Sequence, residues 1–474
     1  MNELTALGDT EAADKSIRTV ELIGAILLLT CAILAAVGGL TKLYLLTAAA
    51  MTVLGVFLVW EISRVPVQQL ITAGVLFVLG CLAALPSNGF LDVLLQAFEG
   101  SLIFVALFVG IAFLQYPALN SPSFHATREF IIGQPAGRRY LILSVSAHLL
   151  GALTNFSALG LLTTFLHGKL EKKARQRMAC AMMRGFGLTA IWSPFFISIA
   201  VILHVKPELK WLDIAIPGFP LAMLMLIYSW AYDRLSSFLA ASAHARANAA
   251  SVNTTPKLSG QVITKIAFLA FALVLLLLMS SEVLEISIPI AVILVIPAFS
   301  IGWQLLLVRT GADGNMSRML PRVADEIAKL RAQVFIFLAA NYLGYGAARV
   351  IDPDLISSTL LSAGIEGWAA IYVLLATMLI CTLLMFHPLA LVVLVGQVFP
   401  GEYLGVHNVS VALCMALVWA VGTNSSPASG LTLFMMRVLD ESPWRIAWGW
   451  NGVYAIGGFI VGGLYISLVN KWLL

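Results

Sequence analysis

Residues 419–430, Trp-Ala-Val-Gly-Thr-Asn-Ser-Ser-Pro-Ala-Ser-Gly, interrupt an apolar segment that is long enough to cross a bilayer. Pro427 lacks a backbone N–H, and its ring clashes with the carbonyl four residues earlier, so it predicts a break or kink in the helix. A break at membrane depth frees backbone groups, which are tolerated only when buried in protein or facing a water-filled cavity. Broken helices build the substrate and ion sites of many secondary transporters. A kinked helix that packs through its small residues is the alternative.

The composition of the whole chain places this segment in a membrane protein. Of the 474 residues, 60% are hydrophobic and 11% are charged, and the mean hydropathy is +0.95. The apolar residues form repeated continuous runs of about 20, the length of a transmembrane helix, and not the short alternating runs of a barrel. The chain is therefore predicted to be an all-α polytopic membrane protein. Its net charge of +4 comes from loops and predicts no nucleic-acid partner.

Two apolar runs are too long for one crossing. Residues 140–168 and 369–400 would each form a helix of about 45 Å, against a hydrocarbon core of about 30 Å. Both carry polar or helix-breaking residues near the middle, so each predicts a re-entrant hairpin that enters and leaves on the same side. The other runs predict about 11 transmembrane helices, near 21–40, 43–60, 70–86, 101–117, 179–205, 213–231, 263–280, 287–308, 334–351, 409–437 and 452–470.

The loop charges set the orientation, because cytoplasmic loops carry an excess of Lys and Arg. Residues 169–177 hold five basic side chains, and 232–262 and 309–333 are also rich in Arg and Lys. Reading 140–168 as a hairpin keeps all three loops inside, whereas an ordinary crossing there would put them outside. The hairpins are therefore predicted to enter from opposite faces, with a cytoplasmic N-terminus and an external C-terminus.

The layout predicts two inverted-topology repeats that follow an N-terminal tail and first transmembrane helix, residues 1–42. Each repeat has early spans, a hairpin, a broken helix and a closing helix, and the two are joined by a cytoplasmic linker. In chain order these segments are 43–117, 140–168, 179–205 and 213–231 in repeat 1 (43–231), the linker 232–262, and 263–351, 369–400, 409–437 and 452–470 in repeat 2 (263–474).

The broken helices and the hairpin tips supply the candidate binding residues. Ser193-Pro194 in repeat 1 matches Ser426-Pro427 in repeat 2, and paired breaks are the best sequence indication of a transporter site. Helix N-termini suit anions, and freed carbonyls suit a cation. Hydrogen bonding between helices is the alternative role for the uncharged members. The predicted substrate- or ion-binding residues are Thr154, Asn155, Ser157, Ser193, Pro194, His387, Pro388, Thr423, Asn424, Ser425, Ser426 and Pro427.

Two ionisable residues have alternative roles. His387 is the ionisable side chain of the hairpin tips; it could carry a coupling proton or contact substrate, or it could bond a nearby carbonyl. Arg184 begins the first broken helix. An intramembrane arginine indicates a functional role, but Arg184 follows a basic loop and could instead snorkel to the surface.

The arrangement of spans, opposed hairpins and broken helices resembles the ion transporter superfamily, which includes the divalent anion/sodium symporters. Those symporters carry Ser-Asn-Thr at both tips, where this chain has Thr154-Asn155-Phe156 and His387-Pro388. The resemblance implies a moving transport domain (140–231 and 369–470), a dimeric scaffold (43–117 and 263–351) and amphipathic arms (118–138 and 352–368). It also implies an elevator-type homodimer.

These observations predict a secondary active transporter, not an enzyme, for a small anionic solute, driven by Na⁺ or H⁺, with no cofactor. Its surroundings are the lipid bilayer, and the prediction places it in a bacterial inner membrane. A membrane subunit of a larger carrier complex is one alternative. A membrane enzyme acting on a lipid-linked substrate is another, but the sequence shows no cluster of His, Asp and Glu, so no catalytic residue or metal ligand is predicted.

Overall fold

The computed structural model describes the chain at all positions except 1, 88, 124–125, 127–129, 131–135, 155–158, 160–161, 164–165, 167–170, 241–258, 287, 312–314, 387 and 474. The described residues form α-helices joined by short 3₁₀ and irregular segments, and contain no β-strand. This confirms the all-α prediction.

The helices of the described part of the chain are numbered here in chain order. The first ten are α1 (Asn2–Thr41), α2 (Tyr44–Glu61), α3 (Val67–Ala84), α4 (Phe90–Asn120), α5 (Ala136–Thr154), α6 (Lys172–Gly187), α7 (Ile197–Val205), α8 (Trp211–Ala240), α9 (Gly260–Leu284) and α10 (Ile288–Arg309). The others are α11 (Met316–Ala328), α12 (Arg331–Ala348), α13 (Pro353–Ser362), α14 (Trp368–Leu383), α15 (Pro388–Val398), α16 (Asn408–Ser425), α17 (Gly430–Leu439) and α18 (Asn451–Leu473).

Among the described residues, 9 helices are long and apolar enough to cross a membrane. The count rises to 10 if α12 and α13, which meet at a bend of 72°, form one span. The predicted span at 179–205 is not among them, because it is divided into α6 and α7. The chain is thus a multi-pass membrane protein.

Several helices are longer than the apolar runs that predicted them. α4 begins at Phe90, well before the predicted span 101–117, and α8 continues to Ala240, inside the predicted linker 232–262. Helical hydrogen bonding needs no apolar side chain, so polar residues such as Glu99 in α4 and Asp233 in α8 do not end the helix. The rest of the linker, from 241 to 258, lies outside the described residues.

The chain divides into two compact units. Unit 1 comprises Met1–Ser121 and Leu273–Tyr342, and unit 2 comprises Pro122–Ala272 and Leu343–Leu474. Both interrupted helices and the described parts of both predicted hairpins fall in unit 2.

Unit 1 packs α1, α2, α4, α10 and α11 around one apolar core. α1 contacts α2 and α4, and α4 contacts α10 closely. Gly110 permits this approach, since a Cβ there would lie 3.1 Å from the Cα of Ile293. The core contains Leu28, Cys31, Leu54, Phe57, Val105, Val109, Met319, Val323, Ile327 and Val334.

α11 is an amphipathic helix within the basic segment 309–333. It buries Met319, Val323 and Ile327, which lie four residues apart on one face. The side chain of Asn315 caps its first turn by accepting a hydrogen bond from the backbone N–H of Ser317 at 3.0 Å. The cap and the apolar stripe together fix this short helix against unit 1.

Unit 2 is built around α16, which is apolar on every side and buried along almost its entire length. A helix that is hydrophobic all round must be surrounded by other helices, and α16 contacts α6, α7, α8, α14, α15, α17 and α18. α5 packs on α6, where the backbone of Gly185 meets the carbonyl of Ser144 with no room for a side chain.

Candidate functional site

The first interrupted helix breaks where Pro194 stands. α6 ends at Gly187, a 3₁₀ turn follows over Leu188–Ile191, and α7 resumes at Ile197. Proline cannot donate a backbone hydrogen bond, so the carbonyls before it need other partners. The indole of Trp211, on α8, supplies one by donating to the Trp192 carbonyl at 2.8 Å.

Ser193 ties this first break to α5. Its side chain is fully buried, and its Oγ donates to the Ala152 carbonyl at 2.7 Å while accepting from the backbone N–H of Phe195 at 3.3 Å. Ala152 lies two residues before the end of α5 at Thr154. Ser193 therefore connects the break to the end of the predicted first hairpin arm.

The second interrupted helix breaks at Ser426–Ser429, between α16 and α17. Ser429 caps α17: its Oγ accepts from the backbone N–H of Thr432 at 3.1 Å and donates to the Thr423 carbonyl at 2.5 Å. The Thr423 hydroxyl bonds within its own helix, to the Trp419 carbonyl at 2.8 Å. The carbonyl of Thr423 freed by the break is thus satisfied locally.

The two interrupted helices touch each other where α6 ends, close to the second break. A Cβ on Gly187, the last residue of α6, would lie 2.6 Å from both the carbonyl oxygen of Ala420 and the amide nitrogen of Asn424. Only glycine allows α6 to come this close to α16. The contact brings the end of the first helix to the last turn before the second break.

Two buried oxygens at the second break have no hydrogen-bond partner among the described residues. They are Oδ1 of Asn424 and Oγ of Ser426, whose side chains are 1% and 0% exposed. The amide nitrogen of Asn424 is occupied, since it donates to the Ala420 carbonyl at 2.7 Å. A buried polar atom without a partner costs about 1–3 kcal/mol, so these oxygens fit a bound cation or a hydrogen-bond donor of a solute.

The predicted second hairpin is also interrupted, and its break lies against α16. α14 ends at Leu383 and α15 begins at Pro388. A Cβ on Gly422 would lie 2.9 Å from Cγ2 of Thr382 and 3.7 Å from Cγ of Pro388. This places Pro388 one turn of α16 from Ser425 and Ser426.

The structure therefore groups the predicted residues in two sets. Pro388 and Thr423–Pro427 meet around the end of α16, and Ser193 and Pro194 lie at the break of α6, whose end touches Asn424. Asn155, Ser157 and His387 lie outside the described residues, as does the side chain of Thr154. Within the described ranges, no group of three or more His, Cys, Asp or Glu side chains could hold a metal ion.

The sequence argument missed the two glycines that make these contacts. Gly187 and Gly422 each lie opposite another helix with no space for a Cβ. Their only signal was the presence of a glycine near a predicted break, and small residues occur at many helix contacts in membranes.

Comparisons with known proteins give a likeness of fold. No protein-family model matches the chain, and no curated protein sequence matches it. Solved structures do match it, among them the following two. The YdaH transporter of Alcanivorax borkumensis matches with a TM-score of 0.54 and 11% identity, over 85% of this chain and 98% of that one. Neisseria gonorrhoeae MtrF, described as illuminating a class of antimetabolite efflux pumps, matches with a TM-score of 0.56 and 9% identity, over 84% and 94%. At this identity the likeness establishes the fold alone, and that fold is one found in membrane transporters.

Proposed function

We propose that the chain is a secondary active transporter that moves a small anionic solute across the membrane. The observation that carries the proposal is the contact in unit 2 between two interrupted helices, beside the buried, unpartnered oxygens of Asn424 and Ser426. Transporters of this kind form their substrate and ion sites from discontinuous helices. The likeness to two solved transporters supports membrane transport in general.

The proposed coupling ion is Na⁺ or H⁺. Side-chain and carbonyl oxygens at the C-terminal end of an interrupted helix suit Na⁺, because the helix dipole is negative there. Oδ1 of Asn424 and Oγ of Ser426 lie at that end of α16. H⁺ coupling would need a titrating group such as His387.

The proposed mechanism is elevator-type alternating access by a homodimer of the ion transporter superfamily. What supports it is the gathering of the interrupted helices and the described hairpin segments in one compact unit. Unit 2 would be the moving transport domain, and unit 1 the scaffold. The proposed location is a bacterial inner membrane, with the N-terminus cytoplasmic and the C-terminus external, as the loop charges indicate.

The test is transport by the purified protein in liposomes. Fluxes of radiolabelled mono- and dicarboxylates are measured under an imposed Na⁺ or pH gradient of either direction, because a carboxylate moved with an equal cation charge gives no current. Both directions are needed, because efflux is the direction named for MtrF. A carboxylate whose transport depends on only one of the two gradients identifies the coupling ion. No gradient-dependent transport of any carboxylate would overturn the proposal.

Two variants then test the site. Asn424→Ala and Ser426→Ala should each lower the transport rate at least about tenfold, since each removes an oxygen from the proposed site. Ser410→Ala is the matched control: its Oγ is also buried and unpartnered among the described residues, on the same helix but about 24 Å from the break. Normal transport by both site variants would show that the solute and ion bind elsewhere.

A further inference from the structure

A buried arginine in unit 2 has only neutral hydrogen-bond partners among the described residues. Arg184, on α6, is 3% exposed and does not snorkel, which corrects that alternative from the sequence. Its Nε donates to Oδ1 of Asn451 at 2.9 Å, one terminal nitrogen to the Tyr140 hydroxyl at 3.1 Å, and the other to the Trp450 carbonyl at 2.8 Å. In the part of the chain that the structure describes, Arg184 forms no ion pair. A buried cation without an opposite charge is costly.

A second arginine on the same helix has its charge balanced by a carboxylate. Arg177 lies seven residues, or about two turns, before Arg184. Its Nε and a terminal nitrogen donate to the two carboxylate oxygens of Asp233, on α8, at 2.9 and 2.6 Å. Asp233 is thus already engaged, and no other acidic side chain that the structure describes pairs with the charge of Arg184.

Aromatic rings compensate part of that charge. The guanidinium carbon of Arg184 lies 4.2 Å from the ring centroid of Tyr454 and 5.0 Å from that of Tyr232. Such cation–π contacts stabilise the cation but leave its net charge of +1 in place.

Hydrogen-bond donors also outnumber acceptors around Arg184. A guanidinium has five N–H groups, and three bonds are formed. The Tyr140 hydroxyl, which accepts from Arg184, lies 2.8 Å from Oγ of Ser229. The hydroxyl of Tyr454 is buried close to Ser229, yet makes no hydrogen bond of good geometry with any described residue. An oxyanion would match this site, because it accepts hydrogen bonds from the unused N–H groups and from the unpartnered hydroxyl, and because it balances the positive charge.

We propose that Arg184, with the hydroxyls of Tyr140, Ser229 and Tyr454, binds the carboxylate group of the transported solute at one stage of the transport cycle. The inference rests on the proposed function and assigns its anion selectivity to a definite group. Arg184 lies one turn before Gly187, where α6 meets α16, so a carboxylate bound there would be held next to the interrupted helices. Of the three tyrosines around Arg184, Tyr232 is the half-buried one and reaches the surface. Displacement of its ring would give an anion access to Arg184.

The test compares carboxylates with their neutral amides on the purified full-length protein. The pairs are benzoate and benzamide, succinate and succinamide, and glutamate and glutamine, each titrated at constant ionic strength while the quenching of tryptophan fluorescence and the melting temperature are followed. At least one carboxylate should bind at least about tenfold more tightly than its amide, because the guanidinium bonds only the anion strongly. Equal binding within all three pairs would overturn the inference.

Variants test whether Arg184 causes the preference for a carboxylate over its amide. Arg184→Gln should abolish it, and Tyr454→Phe, which keeps the arginine and removes only the unpartnered hydroxyl, should weaken carboxylate binding about threefold or more. Arg177→Lys is the control and should leave the preference unchanged. If Arg184→Gln does not fold, Tyr454→Phe decides the matter. Unchanged preference in Tyr454→Phe, or in a folded Arg184→Gln, would place the anion elsewhere.

The two proposals can fail separately. Carboxylate transport that Arg184→Gln and Tyr454→Phe leave unchanged would reject this site and keep the transporter. An Arg184-dependent carboxylate preference in a protein that transports no carboxylate under either gradient would keep the site and reject secondary transport.

Discussion

Gly187 and Asn424 lie so close that a Cβ on the glycine would stand 2.6 Å from the asparagine amide nitrogen, and equally far from the Ala420 carbonyl oxygen. No rotamer change can move a backbone carbonyl, so any side chain at position 187 must push α6 away from α16. This contact therefore limits how far apart α6 and α16 must lie next to the second break.

Replacing Gly187 with alanine should lower the melting temperature and the transport rate together. Alanine favours a helix over glycine by about 1 kcal/mol, but overpacking a buried contact costs about 1–3 kcal/mol, so the clash should win. The measurement is thermal unfolding in detergent, beside transport in liposomes. Gly74→Ala on α3 is the control, because nothing lies within 4 Å of a Cβ there. It should melt at the wild-type temperature or above it, and a Gly187→Ala protein that did the same would contradict this packing.

Replacing Ser193 with alanine should destabilise unit 2 by about 1–2 kcal/mol, since it leaves the buried Ala152 carbonyl without its partner. Ser467→Ala provides a matched comparison. Ser467 also donates to a carbonyl, that of Gly463 at 2.8 Å, but this bond lies within one helix. Its loss should change the melting temperature little. Equal shifts in the two variants would mean that the bond from Ser193 does not hold the break to α5.

The breaks could be predicted from the sequence, while the groups that meet at them could not. Pro194 and Pro427 break their helices through their own covalent chemistry, which needs no knowledge of the fold. Arg184, in contrast, bonds Asn451, 267 residues later. One sequence gives no information about such a distant pair, so the arginine could be taken for one that reaches the surface.

The same distinction explains the helix bounds. Apolar runs located the membrane-crossing part of α4 and α8, because burial in lipid selects apolar side chains. The ends of both helices depend on hydrogen bonding and on contacts such as that of Asp233 with Arg177, which hydropathy does not report.

The ionic contacts of Glu441, in the loop between α17 and α18, should depend on pH. Glu441 lies 3.1 Å from Nζ of Lys172 and 3.2 Å from a terminal nitrogen of Arg445. The hydrogen bond from Lys172, together with the charge of Arg445, holds the pKa of the Glu441 carboxyl below its usual 4.5. A carboxyl whose pKa is lower in the folded state stabilises that state above the unfolded-state pKa, and the contribution is lost as the pH falls through the folded-state pKa.

Glu441→Gln should therefore melt below the wild type at pH 7, and the difference should shrink as the pH falls below about 4.5. Melting temperatures measured from pH 7 to pH 3 check this. Lys172→Gln removes the lysine that contacts Glu441. Its melting temperature should therefore change less than that of the wild type as the pH falls over the same range. A gap between wild type and Glu441→Gln that stays constant to pH 3 would show that the carboxylate charge is not what stabilises the loop.

The ion pair of Arg177 and Asp233 should behave asymmetrically on mutation. The Asp233 side chain is 6% exposed and that of Arg177 39%. Arg177→Gln leaves a buried carboxylate unpaired and should cost about 1–3 kcal/mol, less than the 3–5 kcal/mol of a fully buried pair because water reaches one side. Asp233→Asn should cost less, since the freed guanidinium can turn toward solvent. The double variant should melt above Arg177→Gln, because it removes the unpaired charge. Additive losses in the double variant would mean that the two side chains stabilise unit 2 through separate contacts and not through each other.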